Sequence, residues 1–305
     1  MGTPEFAVPA LRALAGAEVS LLGVVTQPDR PKGRGRKLSP PPVKEEALSH
    51  NLQVFQPENA SSSDFCEVIR QLAPDLLVVV AFGQILRKSL LEIPSWGALN
   101  IHASLLPKYR GAAPIQWAIL NAETRTGLTA MKMDEGMDTG PIIRQVEVEI
   151  SQFETGGSLH DRLSDLAGPF LVETIEIMVK GDYEVKEQDS SQATYAPKIE
   201  KSMAKIKWDK TAKEIASQIC AFDPFPGAQS QIRGKAVKIF SVVSIEERES
   251  QKTPGTITFL DSKGIVVQTG KGTVKFGQMQ LAGKKRLAVG EVIKGFPISV
   301  GDIFY

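Results

Sequence analysis

The chain has few of the residues that commonly mark a metal centre or a disulfide framework. Its 305 residues include two cysteines, Cys66 and Cys220, and three histidines, His50, His102 and His160. The cysteines lie far apart without a C-x-x-C pattern, which argues against a zinc site or a disulfide and predicts two reduced thiols. We expect no metal, and a mechanism that needs an imidazole has only these three histidines to use.

Long apolar runs and a dinucleotide-binding glycine pattern are also absent. The longest apolar run, residues 76–82, is far shorter than the ~20 residues that span a bilayer, and the first residues do not resemble a charged-then-apolar leader. These absences predict a cytoplasmic protein without a membrane partner. No G-x-G-x-x-G follows a predicted strand, which argues against a nicotinamide oxidoreductase.

The net charge of +1 hides an uneven distribution of charge along the chain. Residues 1–195 carry 18 Lys and Arg against 25 Asp and Glu, a net charge of −7, whereas residues 196–305 carry 18 against 10, a net charge of +8. The difference predicts two electrostatically distinct domains, and a basic C-terminal domain favours a polyanion such as nucleic acid. A lysine-rich solvated surface without a partner is the alternative.

Apolar segments without alternation, separated by helical patterns, predict an α/β domain with a doubly wound, mostly parallel sheet. The predicted strands include residues 19–26, 76–81 and 97–102, and a long helix at residues 157–180 is expected to close this domain. Short alternating strands between residues 236 and 280 then predict a small antiparallel β-barrel or sandwich.

Polar, irregular sequence marks the predicted boundary between the two domains. We place the first domain at residues 1–188, the linker at 189–205 and the basic C-terminal barrel at 206–305.

One stretch, residues 98–111, runs from an apolar strand directly into polar chemistry. Asn100 and His102 lie two residues apart, so both side chains project from the same face of the strand. Ligands bind beyond the carboxyl ends of strands in such sheets. An amide and an imidazole together suit an acyl-type intermediate with a negative oxygen, and histidine transfers protons near neutral pH. The alternative is a histidine that is simply hydrogen-bonded at a strand end.

A carboxylate in the M-D-T-G loop at residues 137–140 completes the candidate site. Asp138 would stabilise a protonated His102 or order a water that relays protons. A turn aspartate without a catalytic role is the alternative. His50 and His160 have no such polar neighbours in the sequence, and we do not expect them to be catalysts.

Basic residues cluster in two places. Residues 30–37 carry five positive charges interleaved with glycine, which predicts a flexible loop without a packed element that is suited to phosphate contacts. A solvated surface is the alternative for both clusters. The residues are Arg30, Lys32, Arg34, Arg36 and Lys37 in the first cluster, and Lys284, Lys285 and Arg286 in the second.

Three motifs, in this order and spacing, resemble the folate-dependent formyltransferases: N-x-H at 100–102, S-L-L-P-K-Y-R-G at 104–111 and M-D-T-G at 137–140. The resemblance extends to G-T-P-E-F at 2–6 and T-Q-P-D-R-P-K-G-R-G at 26–35, and it covers nearly the whole chain. It implies a Rossmann-like domain joined to an OB-like barrel. It also implies formyl transfer from 10-formyltetrahydrofolate to the α-amino group of methionyl initiator tRNA by a monomer.

The same resemblance assigns roles to individual residues. Catalysis falls to Asn100, His102 and Asp138, and the loop at 30–37 becomes a contact for the tRNA acceptor end, with Arg34 foremost. For the apolar folate candidates, a place in the core is the alternative. The residues expected to contact folate are Gln84, Ile85, Leu86, Ser104, Leu105, Leu106, Pro107, Met133 and Gly136.

Other acceptors and one departure from the family stay open. In the alternative, the formyl group passes to a glycinamide ribonucleotide, an amino sugar or water. Such a small acceptor needs neither a basic barrel nor an arginine loop, which disfavours this alternative. A catalytically silent RNA-binding protein is disfavoured because Asn100, His102 and Asp138 are all present. Family members have a buried strand before the G-T-P turn at which this sequence begins, so we expect the natural chain to start upstream.

Overall fold

The computed structural model describes residues 1–32, 37–247 and 251–305, which pack as two compact units. The first unit comprises Met1–Gly111, Thr126–Val148 and His160–Ala196. The second comprises Ala112–Arg125, Glu149–Leu159 and Pro197–Tyr305. Residues 189–196 therefore pack with the first unit, and two earlier segments of the chain join the second.

The first unit is an α/β layer structure. Its strands are β1 (Val24–Val25), β2 (Arg30–Lys32), β3 (Lys37–Ser39), β4 (Val54–Phe55), β5 (Leu77–Val79), β6 (Ala98–His102), β7 (Arg125–Lys132) and β8 (Ile142–Glu149). Its helices are α1 (Val8–Ala15), α2 (Pro42–Ser49), α3 (Ser63–Leu72), α4 (Lys88–Leu91) and most of α6 (Gly156–Lys180), whereas α5 (Pro114–Leu120) lies in the second unit.

Parallel pairing confirms the predicted α/β sheet, with one difference at its far side. Strand β1 pairs in parallel with β4, and β5 pairs in parallel with β6. Strand β6 pairs antiparallel with β7, so the sheet is mixed at this point. Mixed sheets of this kind are common among large α/β folds. Strand β6, at the centre of this part, is buried along its whole length.

A gap separates β1 and β4 from the other strands. An apolar cavity of about 360 Å³ is lined by residues 19–25 on one side and 74–78 on the other. At its end, Met1 N donates to Val78 O at 2.5 Å and Gly2 N donates to Val25 O at 3.0 Å. The strand predicted at 19–26 is reduced to the two residues of β1, because β1 pairs with a neighbouring strand, β4, along one edge only. The expectation of a further strand upstream stays a prediction.

The prediction that residues 30–37 contain no packed element was wrong. Strands β2 and β3 form an antiparallel hairpin in which Arg30 pairs with Ser39 and Pro31 with Leu38. Main-chain hydrogen bonds hold its arms, and Leu38 is 72% exposed, so no apolar pattern marks the hairpin in the sequence. Arg34 and Arg36 lie outside the described residues.

The second unit is built on antiparallel strands, as predicted. Besides α5, its helices are α7 (Ala212–Ala221) and α8 (Val289–Gly295). Its strands are β9 (Ala228–Ile232), β10 (Lys235–Glu246), β11 (Ile257–Asp261), β12 (Gly264–Gln268), β13 (Thr273–Leu281) and β14 (Leu287–Ala288). The strand order is β11-β12-β13-β10-β9, with β14 added to β13.

The last residues of the chain close this sheet into a barrel. Phe304 bridges to Ile232 at the end of β9, and Ile303 bridges to Thr256 beside β11. Phe304 N also donates to Gly255 O at 2.8 Å. The aromatic ring of Phe304 is buried 5.5 Å from that of Trp208, so the closing segment also supplies part of the core.

Both cysteines are free thiols, as the sequence predicts, and the structure buries both. Burial, with Asp223 nearby, raises the pKa of Cys220 to about 12 and keeps this thiol protonated and unreactive. Among the described residues, no helix is both long and apolar enough to cross a membrane.

Candidate active site

Strand β6 presents Asn100 and His102 from one face, as strand alternation requires. Their side chains are 8% and 7% exposed, and Asn100 pairs across the sheet with Val79 and Met131. The side-chain amide of Asn100 has no hydrogen-bond partner within the described part of the chain. A buried amide whose donors are uncommitted is suited to bind an oxygen of a substrate.

The contacts of His102 define which ring nitrogen carries the proton. Nε2 lies 2.9 Å from the backbone oxygen of Tyr109, and a carbonyl oxygen accepts hydrogen bonds only. Nε2 is therefore assigned the proton and donates to that oxygen. In the neutral ring, Nδ1 then holds the lone pair. Nδ1 lies 3.6 Å from Oδ2 of Asp138, so the lone pair faces a carboxylate.

Asp138 is held in place by the turn that follows Tyr109. Its Oδ2 accepts from Gly111 N at 2.8 Å, and its backbone has a φ of +54°. Tyr109, which fixes His102, has a φ of +62°. Left-handed backbone at non-glycine residues costs energy and persists where the surroundings enforce it, commonly at functional sites.

Two glycines and a short hydrogen-bond network shape the loop that carries Asp138. Oδ1 of Asp134 accepts from Gly136 N at 3.0 Å and from Oγ1 of Thr139 at 2.7 Å. A Cβ at Gly136 would overlap Thr139, and a Cβ at Gly140 would overlap the carbonyl of Lys132. The M-D-T-G motif is thus conformationally constrained as well as chemically defined.

A second network fixes the turn after His102. Oγ1 of Thr129 donates to Ser104 O at 2.7 Å and accepts from Leu106 N at 3.1 Å. Nε2 of Gln145 donates to Leu106 O at 3.0 Å and to the same threonine oxygen at 2.8 Å. These bonds link β7 and β8 to the S-L-L-P segment.

The structure divides the predicted folate residues into two groups. The side chains of Ser104, Leu86 and Leu106 are buried, and Gln84 braces the chain by accepting from Ala60 N at 2.8 Å. Ile85, by contrast, is 85% exposed, and the remaining candidates are accessible at least in part. These are Leu105, Pro107, Met133 and Gly136.

The predicted tRNA contacts also differ in their surroundings. Arg30 lies in β2 and donates to Oε1 of Gln27 at 3.0 Å, and Lys37 is exposed in β3. The backbone of Lys32 lies in β2. Lys284 and Lys285 are exposed in the turn between β13 and β14.

Arg286 has a structural partner that the sequence did not indicate. Its guanidinium forms a two-point ion pair with Asp223, at 2.6 and 2.9 Å, and lies 4.1 Å from the centre of the Phe240 ring. The Asp223 side chain is 6% exposed, and this arginine is its ion-pair partner. Arg286 therefore differs from the two exposed lysines beside it.

We predict that Arg286→Ala destabilises the second unit, because it leaves the Asp223 carboxylate buried without its cation. Loss of one partner from a fully buried pair costs about 3–5 kcal/mol, and the partial exposure of Arg286 reduces this to about 2 kcal/mol. Thermal unfolding measures the effect, with Lys285→Ala as the matched control. Equal melting temperatures for the two variants would contradict it.

Several residues that organise the site were not predicted. They are Thr129, Gln145, Gln188 and Thr194, and each acts through contacts that are distant in the sequence. The S-L-L-P-K-Y-R-G motif includes Arg110, but its burial was not foreseen. In the described part of the chain, no group of three or more His, Cys, Asp and Glu could hold a metal ion.

The fold of each unit, and the site carried by the first, are those of a formyl transferase. The sequence profile described as formyl transferase matches residues 2–175, and the profile of the formyl transferase C-terminal domain matches residues 198–297. The chain belongs to this family.

Similar relatives carry a more particular name. The methionyl-tRNA formyltransferase of Pelotomaculum thermopropionicum is 44% identical over 99% of this chain and 96% of that protein. The methionyl-tRNA formyltransferase of Pelobacter propionicus is 47% identical over 99% of this chain and 94% of its own length.

Among solved structures, the fold is similar to an N-formyltransferase from Helicobacter canadensis, determined with folinic acid and dTDP-3-aminofucose. The TM-score is 0.67 and the identity 20%, over 90% of this chain and 96% of that one. At this identity, the likeness concerns the fold.

Proposed function

We propose that this chain transfers the formyl group of 10-formyltetrahydrofolate to the α-amino group of methionyl initiator tRNA. The product is N-formylmethionyl-tRNA for translation initiation, and the site of action is the cytoplasm. The observation that carries the proposal is identity above 40% with methionyl-tRNA formyltransferases over nearly the whole length of both chains.

The chemistry requires stabilisation of an oxyanion and two proton movements. When the amine attacks the formyl carbon, a new C–N bond forms and the carbonyl oxygen becomes negative. The uncommitted amide of Asn100 would donate to that oxygen. Asn100 is 8% exposed, so little water competes for the same donors, and the lower local polarity strengthens the interaction.

His102 would carry the proton between the two nitrogens. Nδ1 holds the lone pair that accepts the proton of the attacking amine, and the Asp138 carboxylate 3.6 Å away would stabilise the resulting imidazolium. The same proton then passes to N10 of the folate as the bond between N10 and the formyl carbon breaks. Nε2 keeps its bond to Tyr109 throughout, so the ring stays oriented.

Formyl donor contacts are proposed for the exposed and backbone groups around the site. Ile85 and the partly accessible Leu105, Pro107 and Met133 would supply apolar contacts for the folate. The buried Leu86, Leu106 and Ser104 would act by fixing the backbone around them. A flat heterocycle needs apolar walls and a few oriented polar groups, which these segments provide.

A tRNA acceptor is supported by charge in each unit taken separately. The second unit contains most of the segment with a net charge of +8, and residues 30–37 carry five positive charges. A small acceptor such as an amino sugar requires neither feature. We keep the phosphate role for Arg30, Lys32, Arg34, Arg36, Lys37, Lys284 and Lys285, whereas Arg286 is already paired with Asp223.

A comparison of acceptors tests the proposal. Purified chain and 10-formyltetrahydrofolate are incubated with methionyl initiator tRNA, methionyl elongator tRNA, uncharged initiator tRNA and dTDP-3-aminofucose. We expect product with the methionyl initiator species only. Product with the amino sugar alone, or formate without any acceptor product, would reject the tRNA assignment.

We predict that Arg34→Ala weakens tRNA binding and reduces its dependence on salt. Each phosphate contact adds about 0.7–0.9 to the slope of log K against log salt, so losing one contact lowers the slope by about that amount. Titration of tRNA over a salt series measures it, with folate affinity as the internal control. An unchanged tRNA titration would remove Arg34 from the interface.

A further inference from the structure

The amide of Gln188 lies behind the M-D-T-G loop with all its hydrogen-bonding capacity used. Nε2 donates to Asp138 O at 2.9 Å and to Gly140 O at 2.7 Å. Oε1 accepts from Nε and Nη2 of Arg110 at 3.1 and 2.8 Å. A side-chain amide has two donors and two acceptor lone pairs, so this one joins two segments with nothing left over.

The two donated bonds fall on the part of the loop that is strained. Asp138 has left-handed backbone, and the carbonyls that Gln188 binds are its own and that of Gly140, two residues later. Fixing both carbonyls fixes the Asp138–Thr139 and Gly140–Pro141 peptide planes, which lie at the two ends of the Thr139–Gly140 segment. The direction of the Asp138 carboxylate follows from those planes.

The same chain segment also holds the other half of the site. Thr194 Oγ1 accepts from Tyr109 N at 2.8 Å, and Thr194 O accepts from Arg110 N at 2.9 Å. Tyr109 O is the acceptor that orients His102. Thr194 thus fixes the imidazole through Tyr109, and Gln188 fixes the carboxylate through the Asp138 backbone.

We propose that Gln188 is a positioning residue for formyl transfer, which holds the Asp138 carboxylate at Nδ1 of His102. The inference rests on the proposed function, since it assigns Gln188 a role through Asp138. Gln188 bonds to the backbone carbonyl of Asp138 and lies behind the loop, so it orients a catalytic group without supplying one.

The conservative substitution Gln188→Glu separates positioning from general stability. A carboxylate still accepts from the Arg110 guanidinium, but it cannot donate to the carbonyls of Asp138 and Gly140 and repels them. Displacement of a catalytic group by about 1 Å costs up to about 10²-fold in rate. We expect kcat to fall 10- to 100-fold, with KM for folate and for methionyl-tRNA unchanged.

Gln192→Glu is the matched control, because the same substitution falls in the same segment on an exposed side chain whose partner is Asp189. Thermal unfolding of both variants shows whether the fold is retained. If Gln188→Glu unfolds, Gln188→Met is measured instead, since it retains the length of the side chain without opposing charge.

The experiment combines Gln188→Glu with Asp138→Asn and reports kcat and amide exchange. If Gln188 acts through Asp138, adding Gln188→Glu to Asp138→Asn should lower kcat little further. Exchange of the Gly111 amide, which donates to Asp138 Oδ2, should quicken in Gln188→Glu but not in Gln192→Glu. The proposal would be overturned if the rate losses of the two single variants multiplied in the double variant. It would also be overturned if Gln188→Glu left kcat and Gly111 amide exchange unchanged. If wild-type chain fails to formylate methionyl-tRNA, the proposed function fails, and the Gly111 exchange alone decides for or against positioning.

Discussion

Replacing His102 with alanine is expected to lower kcat for formyl transfer at least ~100-fold. General acid–base catalysis by a positioned side chain contributes about 10²–10⁴-fold, and His102 is the histidine whose lone pair faces a carboxylate beside the Asn100 amide. His102 is buried and its ring is bonded to Tyr109 O, so it is not one of the proposed phosphate contacts and tRNA affinity should not change. Steady-state kinetics with methionyl initiator tRNA give kcat and KM separately.

His50→Ala is the control for His102→Ala. His50 is exposed at the end of α2 and pairs with Glu46 at 3.2 Å, away from the site. It should retain the wild-type kcat. A His102→Ala variant with near wild-type kcat and an unchanged melting temperature would remove the imidazole from the mechanism.

Asp138→Asn should lower kcat about 10²-fold with little change in stability. The asparagine keeps the size of the side chain, and its amide oxygen still accepts from Gly111 N, so the loop geometry survives. Only the negative charge is lost, and with it the stabilisation of the imidazolium that forms at Nδ1. Steady-state kinetics measure kcat, and KM for both substrates should remain at the wild-type value.

A second histidine–aspartate pair supplies the control for this substitution. Asp161 lies 2.9 Å from Nδ1 of His160 on the surface of α6, and its side chain is 80% exposed. Asp161→Asn should leave kcat and stability unchanged. If Asp138→Asn behaved in the same way, the carboxylate would be a turn residue, which is the alternative that the sequence left open.

The candidate site was accessible from sequence where its chemistry depends on local geometry. Strand alternation alone places Asn100 and His102 on one face, and both are buried there. The M-D-T-G motif brought Asp138 into consideration, but its 3.6 Å approach to His102 depends on folding across the sheet. The local sequence pattern thus identified the site residues, whereas the distances between their side chains come from the tertiary structure.

The residues that hold the site in place were not predictable, because they act through contacts between distant parts of the chain. Gln188 contacts a loop about 50 residues earlier in the chain, and Thr194 contacts Tyr109, which is further away still. Neither residue belongs to an apolar or polar pattern of regular period. In the sequence, Arg286 is one of three adjacent cations, and its pairing with Asp223 is visible only in the structure.

The predicted architecture is confirmed, but elements without apolar alternation were not predicted. Strand β9 (Ala228–Ile232) has the sequence A-Q-S-Q-I, and β14 has two residues, so neither shows a strand pattern of useful length. Helix α8 contains two glycines, which weaken a helix prediction. The hairpin of β2 and β3 depends on main-chain pairing in a segment rich in arginine and glycine.

The central claim is that the formyl carbon passes from folate to the methionyl α-amine at Asn100, His102 and Asp138. A single-turnover reaction with 10-formyltetrahydrofolate labelled at the formyl carbon, followed by release of the amino acid from the tRNA, tests it most directly. The label should appear in N-formylmethionine with wild-type chain, and at a rate at least ~100-fold lower with His102→Ala. Label recovered as formate, or in N-formylmethionine at equal rates for both chains, would contradict the account.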